Sequence, residues 1–154
     1  MKFYEESPKE DFLIKALFST ICMSQQKGRC EILLDKDVLE DSGEKFSEIL
    51  VEYYEIKYKE RHKDLLMDIV NVFRKLDLKN NKKIEYETLV DVEKNNKFYI
   101  FERFNPQIKE NINKAYNLVL LGILKGVLNI FEVKYLDINL KKIKNNTVFT
   151  IEFE

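Results

Sequence analysis

The 154-residue chain has no tryptophan, one histidine, two cysteines, two prolines and four glycines. Each shortage removes a class of protein. Two cysteines, Cys22 and Cys30, supply neither a disulfide framework nor the thiolate and imidazole ligands of a zinc site, so folding must rest on a packed core. Cys22 is expected as a small core residue on a helix and Cys30 as an ordinary thiol, which suits a reducing, cytoplasmic setting. The single histidine, His62, lies between Arg61 and Lys63 and reads as a surface residue. With one histidine and no convincing nucleophile, acid–base catalysis would have to rest on carboxylates or lysines. There is no phosphate-binding glycine loop, no nucleophile elbow and no dinucleotide fingerprint. No apolar run reaches the ~18 residues of a membrane span. The opening stretch MKFYEESPKEDF is too acidic for a signal or transit peptide.

An excess of either charge is also missing. The 26 basic and 27 acidic residues leave no global field to gather nucleic acid or anionic lipid, so neither a nucleic-acid partner nor a membrane span is expected. A chain of this length hides roughly 70% of its extended surface on folding, enough for one domain without staples. A single domain over 1–154 is expected, with 1–35 as an N-terminal helix and connection and 36–154 as the core.

What the sequence has in abundance is apolar periodicity. Pro106 to Phe131 reads as one long helix whose apolar positions cover nearly the whole circumference from Leu118 to Val127, the mark of a buried helix. Gly122 and Gly126 sit four apart within it, each costing about 1 kcal/mol relative to alanine, so a compensating close contact is expected. Three uses fit such a pair: internal packing, a dimer seam, or room for a ligand chain.

Ser7-Pro8-Lys9-Glu10 reads as a helix start and Gly28 as its stop, with Phe12, Leu13, Ala16, Leu17, Thr20 and Ile21 facing inward. Arg29 to Asp35 is either a strand or a packed connection. A second helix from Asp35 or Asp37 buries Val38, Leu39, Phe46, Ile49, Leu50 and Tyr53, with Gly43 in the same stripe. A third buries Leu65, Leu66, Ile69, Val70, Phe73 and Leu76 and ends at the turn-like Lys79-Asn80-Asn81-Lys82. The period then changes to 2. Ile84, Tyr86, Thr88, Val90 and Val92 alternate with Glu85, Glu87, Asp91 and Glu93, Asn95-Asn96 makes a turn, and Lys97 to Arg103 pairs back. Beyond the buried helix, Glu132 to Lys144 forms a strand with a bulge near Leu136. Asn145-Asn146 turns the chain, and Thr147, Phe149, Ile151 and Phe153 alternate to the end.

This order specifies an α+β fold: a four-stranded antiparallel sheet made of two hairpins, helices packed on one face, and the long buried helix between the hairpins. The other face, carrying Glu85, Glu87, Asp91, Glu93, Thr150 and Glu152, is expected to be solvated or to meet a partner. Its carboxylates, about 7 Å apart within each pair, have a spacing that suits a divalent ion but read as the wet side of a half-buried strand. An apolar pocket in this core would be lined by Phe46, Leu50, Tyr53, Phe73, Tyr86, Tyr116, Gly122 and Gly126, with tyrosine hydroxyls orienting a polar end.

Several stretches resemble a known superfamily. LEDSGEKFSEIL at Leu39 to Leu50, FRKLDL at Phe73 to Leu78, FNP at Phe104 to Pro106, LLGILKGVL at Leu120 to Leu128 and the closing VFTIEFE are similar to one group of ligand-binding domains. That group joins 4-vinyl-reductase-like hydrocarbon-binding domains, the TRAPP small subunits of Golgi transport and haem nitric-oxide-binding domains. The resemblance covers residue 38 to the end and implies a buried apolar cavity and a homodimer formed through helices. The departures are informative. Members that bind metal use cysteines in the C-terminal half, and none follows Cys30, so no metal site is expected. The acylated cysteine of some TRAPP subunits falls near Glu60 to Lys63, where no cysteine stands, so covalent acylation is not expected. The Tyr-x-Ser-x-Arg haem signature is absent, and no cofactor is expected.

The resulting expectation is a non-enzymatic sensor or carrier of the 4-vinyl-reductase-like type that binds a small hydrophobic molecule as a homodimer. The alternative is a TRAPP-like assembly subunit with a vestigial cavity. A carboxylate-based enzyme using Glu85, Glu87 and Asp91 stands third.

Overall fold

The computed structural model describes residues 14, 16–18, 20, 36–76, 86–90, 96–103, 110–143 and 146–154. The elements are α1 (Lys36–Tyr53), α2 (His62–Lys75), β1 (Tyr86–Val90), β2 (Lys97–Arg103), α3 (Glu110–Ile130), β3 (Tyr135–Ile143) and β4 (Asn146–Phe153). They make an α+β fold. Strands β2, β4 and β3 form an antiparallel sheet with β4 in the middle, and the short β1 runs along the outer edge of β2.

Register explains what the sheet buries. Phe98, Ile100 and Glu102 of β2 stand opposite Ile151, Phe149 and Thr147 of β4, which in turn stand opposite Ile138, Leu140 and Lys142 of β3. This is the face that meets the helices. The other face is drier than alternation implies: Thr150, expected to be wet, is only 7% exposed. Tyr99 and Asn139 flank it in register from both sides, and a central strand is covered by its neighbours' side chains as well as by helices. Glu87 is known here by its pairing with Phe101; Glu85, Asp91 and Glu93 lie outside the described residues.

The buried helix is as expected in its central stretch. From 118 to 127 every side chain but Leu118 and Lys125 is buried, and Lys125 is ion-paired with Glu40 of α1. Helix α3 ends on a Schellman motif, in which Val133 N–H donates to Leu128 O at 2.9 Å and Glu132 N–H to Asn129 O at 3.0 Å. Glu132 carries the left-handed residue of that motif, at φ 56°. This is why β3 begins at Tyr135 and not at Glu132. The expected irregularity is present, as a register shift between Tyr135 and Asp137. Helix α1 terminates in the same way, with Glu55 at φ 52° and Ile56 N–H donating to Val51 O at 3.0 Å.

Helix α2 buries all six expected residues and Val72 besides. Asp64 in its first turn and Arg74 and Lys75 in its last suit the helix dipole. The faces of the two earlier helices are rotated from expectation. On α1 the buried set is Leu39, Gly43, Phe46, Ser47 and Leu50, while Val38 and Ile49 are exposed. Leu39, Gly43, Phe46, Ser47 and Leu50 form a narrow i, i+3/i+4 stripe, and that stripe, not total hydrophobicity, selects the face. In the first helix Ile14 and Phe18 are buried and Ala16, Leu17 and Thr20 are exposed, because Phe18 inserts between Phe46 and Tyr116. Thr20 satisfies its hydroxyl locally on Ala16 O at 2.8 Å.

The helix start at Ser7, the stop at Gly28, both cysteines, Arg29 to Asp35, Lys79 to Lys82, Asn95, Asn105-Pro106 and Asn145 lie outside the described residues. Asn96 closes the sheet's end: its side-chain amide donates to Phe153 O, and its own carbonyl accepts from Phe153 N–H, both at 2.9 Å. Among the described residues no helix is long and apolar enough to cross a membrane.

Candidate ligand-binding site

The residues expected to line a pocket lie in two places. Phe46, Leu50, Phe73 and Tyr116 are buried in the main hydrophobic cluster. Their rings are already in contact: Phe18 stacks on Phe46 at 6.1 Å and meets Tyr116 edge-on at 5.4 Å, and Phe73 lies 5.9 Å from Phe149. Tyr53 is half-buried with its ring 4.9 Å from Tyr54, and Tyr86 is placed by its pairing with Glu102.

Gly122 and Gly126 face α1. A Cβ on Gly43 would lie 3.0 Å from the Cα of Gly122 and would collide with Val119 O, and a Cβ on Gly122 would collide with Glu40 O. The two helices touch backbone to backbone there, which only glycine permits. At Gly126 the space is taken by the Ser47 side chain and Glu44 O, and the Ser47 hydroxyl donates to that same carbonyl. Of the three uses open to the glycine pair, internal packing accounts for the space beside both.

Open space lies on another side of α3. A cleft of about 520 Å³ lies between the start of α1, the first half of α3 and the edge strand β3. None of the eight expected pocket residues is among the described residues that line it. Its apolar surface comes from Leu118 and Leu121, one turn apart on α3, and from Ile138 and Leu140 on β3. Four lysines stand around it, Lys36, Lys114, Lys141 and Lys142, with the acids Asp37 and Glu40. Glu40 is engaged by Lys125 of α3.

One wall of the cleft is polar and dry. Asn117, 4% exposed, donates its amide to Thr147 Oγ1 at 3.2 Å across the helix–sheet boundary. Its carbonyl oxygen is buried and has no hydrogen-bond partner. Asn139 Oδ1 is likewise without one, but that side chain belongs to the opposite face of the sheet, beside Thr150. A buried acceptor left without a donor costs about 1–3 kcal/mol, so such a group marks a place where something else supplies the donor. Asn117 and Thr147 were not singled out from the sequence. The available signal was an asparagine inside an apolar helix stripe and an acid, Glu102, at an inward strand position opposite Thr147.

His62 stands at the first position of α2 with its ring 4.0 Å from that of Phe153. Burial lowers its pKa below the ordinary 6.5. It is thus a half-buried packing residue, not the surface residue its charged neighbours suggest. Among the described residues no group of three or more His, Cys, Asp or Glu side chains could hold a metal ion.

No protein-family model and no curated protein matches the sequence. Solved structures do match. A trafficking protein particle complex subunit 3 from Naegleria fowleri, covalently bound to palmitic acid, superposes with a TM-score of 0.59 at 15% identity, over 95% of this chain and 96% of that one. An H-NOX protein from S. oneidensis in the Fe(II) ligation state gives 0.57 at 15% identity, over 90% and 72%. The Fe(II) unliganded H-NOX protein from K. algicida gives 0.52 at 18% identity, over 77% and 63%. At such identities the likeness is one of fold, a fold shared with a TRAPP subunit and with H-NOX domains.

Proposed function

We propose that this is a non-enzymatic domain that binds a small, largely apolar molecule and acts as a sensor or carrier. The observation that carries the reading is the cleft beside Asn117, in which four apolar side chains adjoin a buried acceptor without a donor. A volume of about 520 Å³ lies within the usual range for small-molecule sites. The palmitic acid held by one structural relative is consistent with an apolar guest. Binding here is proposed as noncovalent, since no cysteine stands at Glu60 to Lys63. Placement in the 4-vinyl-reductase-like branch, homodimerisation through helices and a cytoplasmic setting belong to the same proposal and rest on the sequence. Native mass spectrometry of gently purified protein tests it: a small-molecule adduct released by collisional activation is expected, and a bare chain after mild lysis would overturn it.

A second reading, a TRAPP-like assembly subunit, is favoured by one feature of α1. Val38 and Ile49, both over 40% exposed, face away from the core on a helix whose opposite side is buried. An assembly subunit recovers stoichiometric protein partners on affinity purification, whereas a free sensor does not.

A further inference from the structure

We propose that the outer edge of β3 pairs antiparallel with β3 of a second copy of this chain, about a two-fold axis at Asn139. The proposal goes beyond the ligand-binding reading and does not rest on it. It places the seam of the homodimer on the sheet, not on the helices to which the sequence resemblance assigns it. Among the described residues nothing pairs with the outer side of β3, which stands last in the sheet order β1-β2-β4-β3. The strand is nine residues long, against five for β1 at the other edge. Such an edge presents a row of backbone donors and acceptors on which a further strand can pair.

The run Asp137-Ile138-Asn139-Leu140-Lys141 selects the occupant. Register with β4 sets Asp137, Asn139 and Lys141 opposite Glu152, Thr150 and Val148, on the face away from the helices. Ile138 and Leu140 stand opposite Ile151 and Phe149, toward the helices. Self-pairing about Asn139 keeps every residue on its own face. It sets Asp137 against the partner's Lys141, Ile138 against the partner's Leu140, and Asn139 against the partner's Asn139, and the symmetry makes the charged and apolar pairs twice. Moving the axis to Leu140 sets Ile138 against the partner's Lys142 and Asp137 against the partner's Ile143; moving it to Ile138 leaves Lys141 without an acid. Charges on an edge strand ordinarily keep copies apart. Here the two signs lie symmetrically about Asn139 and draw a copy in.

Two further observations fit this register. Asn139 Oδ1 has no hydrogen-bond partner, while its amide donates to Asp137 at 2.7 Å and so uses one of its two hydrogens. On the axis, the remaining amide hydrogen of the partner's Asn139 is the donor that oxygen lacks. Leu136 and Ile143 flank the run, 62% and 51% exposed, and pairing brings the partner's Ile143 to the Leu136 end. Since Ile138 and Leu140 also line the cleft, the partner's Ile138 and Leu140 extend its apolar wall.

Sedimentation velocity on the full chain tests the seam. Five residue pairs are few beside the roughly 20–30 residues a side of a stable interface, so the dimer should appear between about 10 μM and about 1 mM chain. Asp137 and Lys141 are exposed, and changing them leaves the core intact. Asp137→Lys and Lys141→Asp should each weaken the dimer about ten-fold, because each sets like charges opposite one another twice. The two changes together restore opposite signs and should bring the dimer back to within about three-fold of the unaltered chain. A chain still monomeric at about 1 mM overturns the proposal. So does a dimer that survives either single change, which puts the seam elsewhere, and so does a loss that the double change fails to recover. None of these outcomes bears on ligand binding, which the adduct measurement decides separately.

Discussion

Helix α3 has two sides that solve opposite problems. Toward α1 it lacks side chains where they would matter, and the two helices meet backbone to backbone at Gly43 and Gly122. Toward the end of the sheet beside β3 it carries Asn117 and leaves room. The first side is closed, with Ser47 and the Glu40–Lys125 pair engaged across or beside it; the second is open and holds Asn117 Oδ1, an acceptor with no donor. The difference teaches where to look for a guest: the residues that pack best are poor guides to an empty space, and a buried polar atom without a partner is a better one.

The largest effect should come from damaging the closed side. Gly122→Ala drives a methyl group into the Glu40 carbonyl, a backbone atom that cannot rotate away. Overpacking of this kind costs about 1–3 kcal/mol, and the gain of about 1 kcal/mol in helix propensity offsets only part of it. Urea denaturation should show a net loss of about 1 to 2 kcal/mol. Gly126→Ala meets first the Ser47 hydroxyl, which can turn, and less closely Ser47 Cβ and the Glu44 carbonyl, and should lose less than Gly122→Ala. Equal losses at the two sites would mean that the seam is not drawn tightest at Gly122.

A smaller effect should follow pH and touch only the packed region. Because burial lowers the pKa of His62, the unfolded chain binds its proton more readily than the folded one. The contribution is therefore at its best above 6.5, the ordinary value, and is lost as pH falls through 6.5 toward the lower folded value. An NMR titration of the ring should find a midpoint below 6.5, and Phe153→Leu should raise it. A midpoint at or above 6.5 would show that Phe153 does not shield the ring.

Much of the closed side was legible in the sequence. The all-round apolar stretch from 118 to 127, the glycines four apart and the full stripe of α2 follow from 3.6-residue periodicity, which is local. The bulge near Leu136 was legible because the apolar set of a period-2 strand changes face there, which is also a local signal. The faces of α1 and of the first helix were not, because Val38, Ile49 and Leu17 are apolar yet exposed, and only the partner element decides between two apolar stripes. The open side was least legible. Asn117 and Thr147 are 30 residues apart, and their meeting depends on how α3 crosses the sheet. The pocket expected among Phe46, Leu50, Phe73 and Tyr116 was drawn to aromatic and bulky residues, whose surfaces are those most strongly driven to pack against each other.

The account turns on the open side of α3 being the site. Methyl-resolved NMR titration with dodecanoate, a small and largely apolar probe, tests it most directly. The methyl signals of Leu118, Leu121, Ile138 and Leu140 should shift together and saturate, while those of Leu39, Leu50, Leu65 and Ile69 stay in place. Shifts centred on Leu39, Leu50 and the helix seam, with the cleft methyls unmoved, would contradict it.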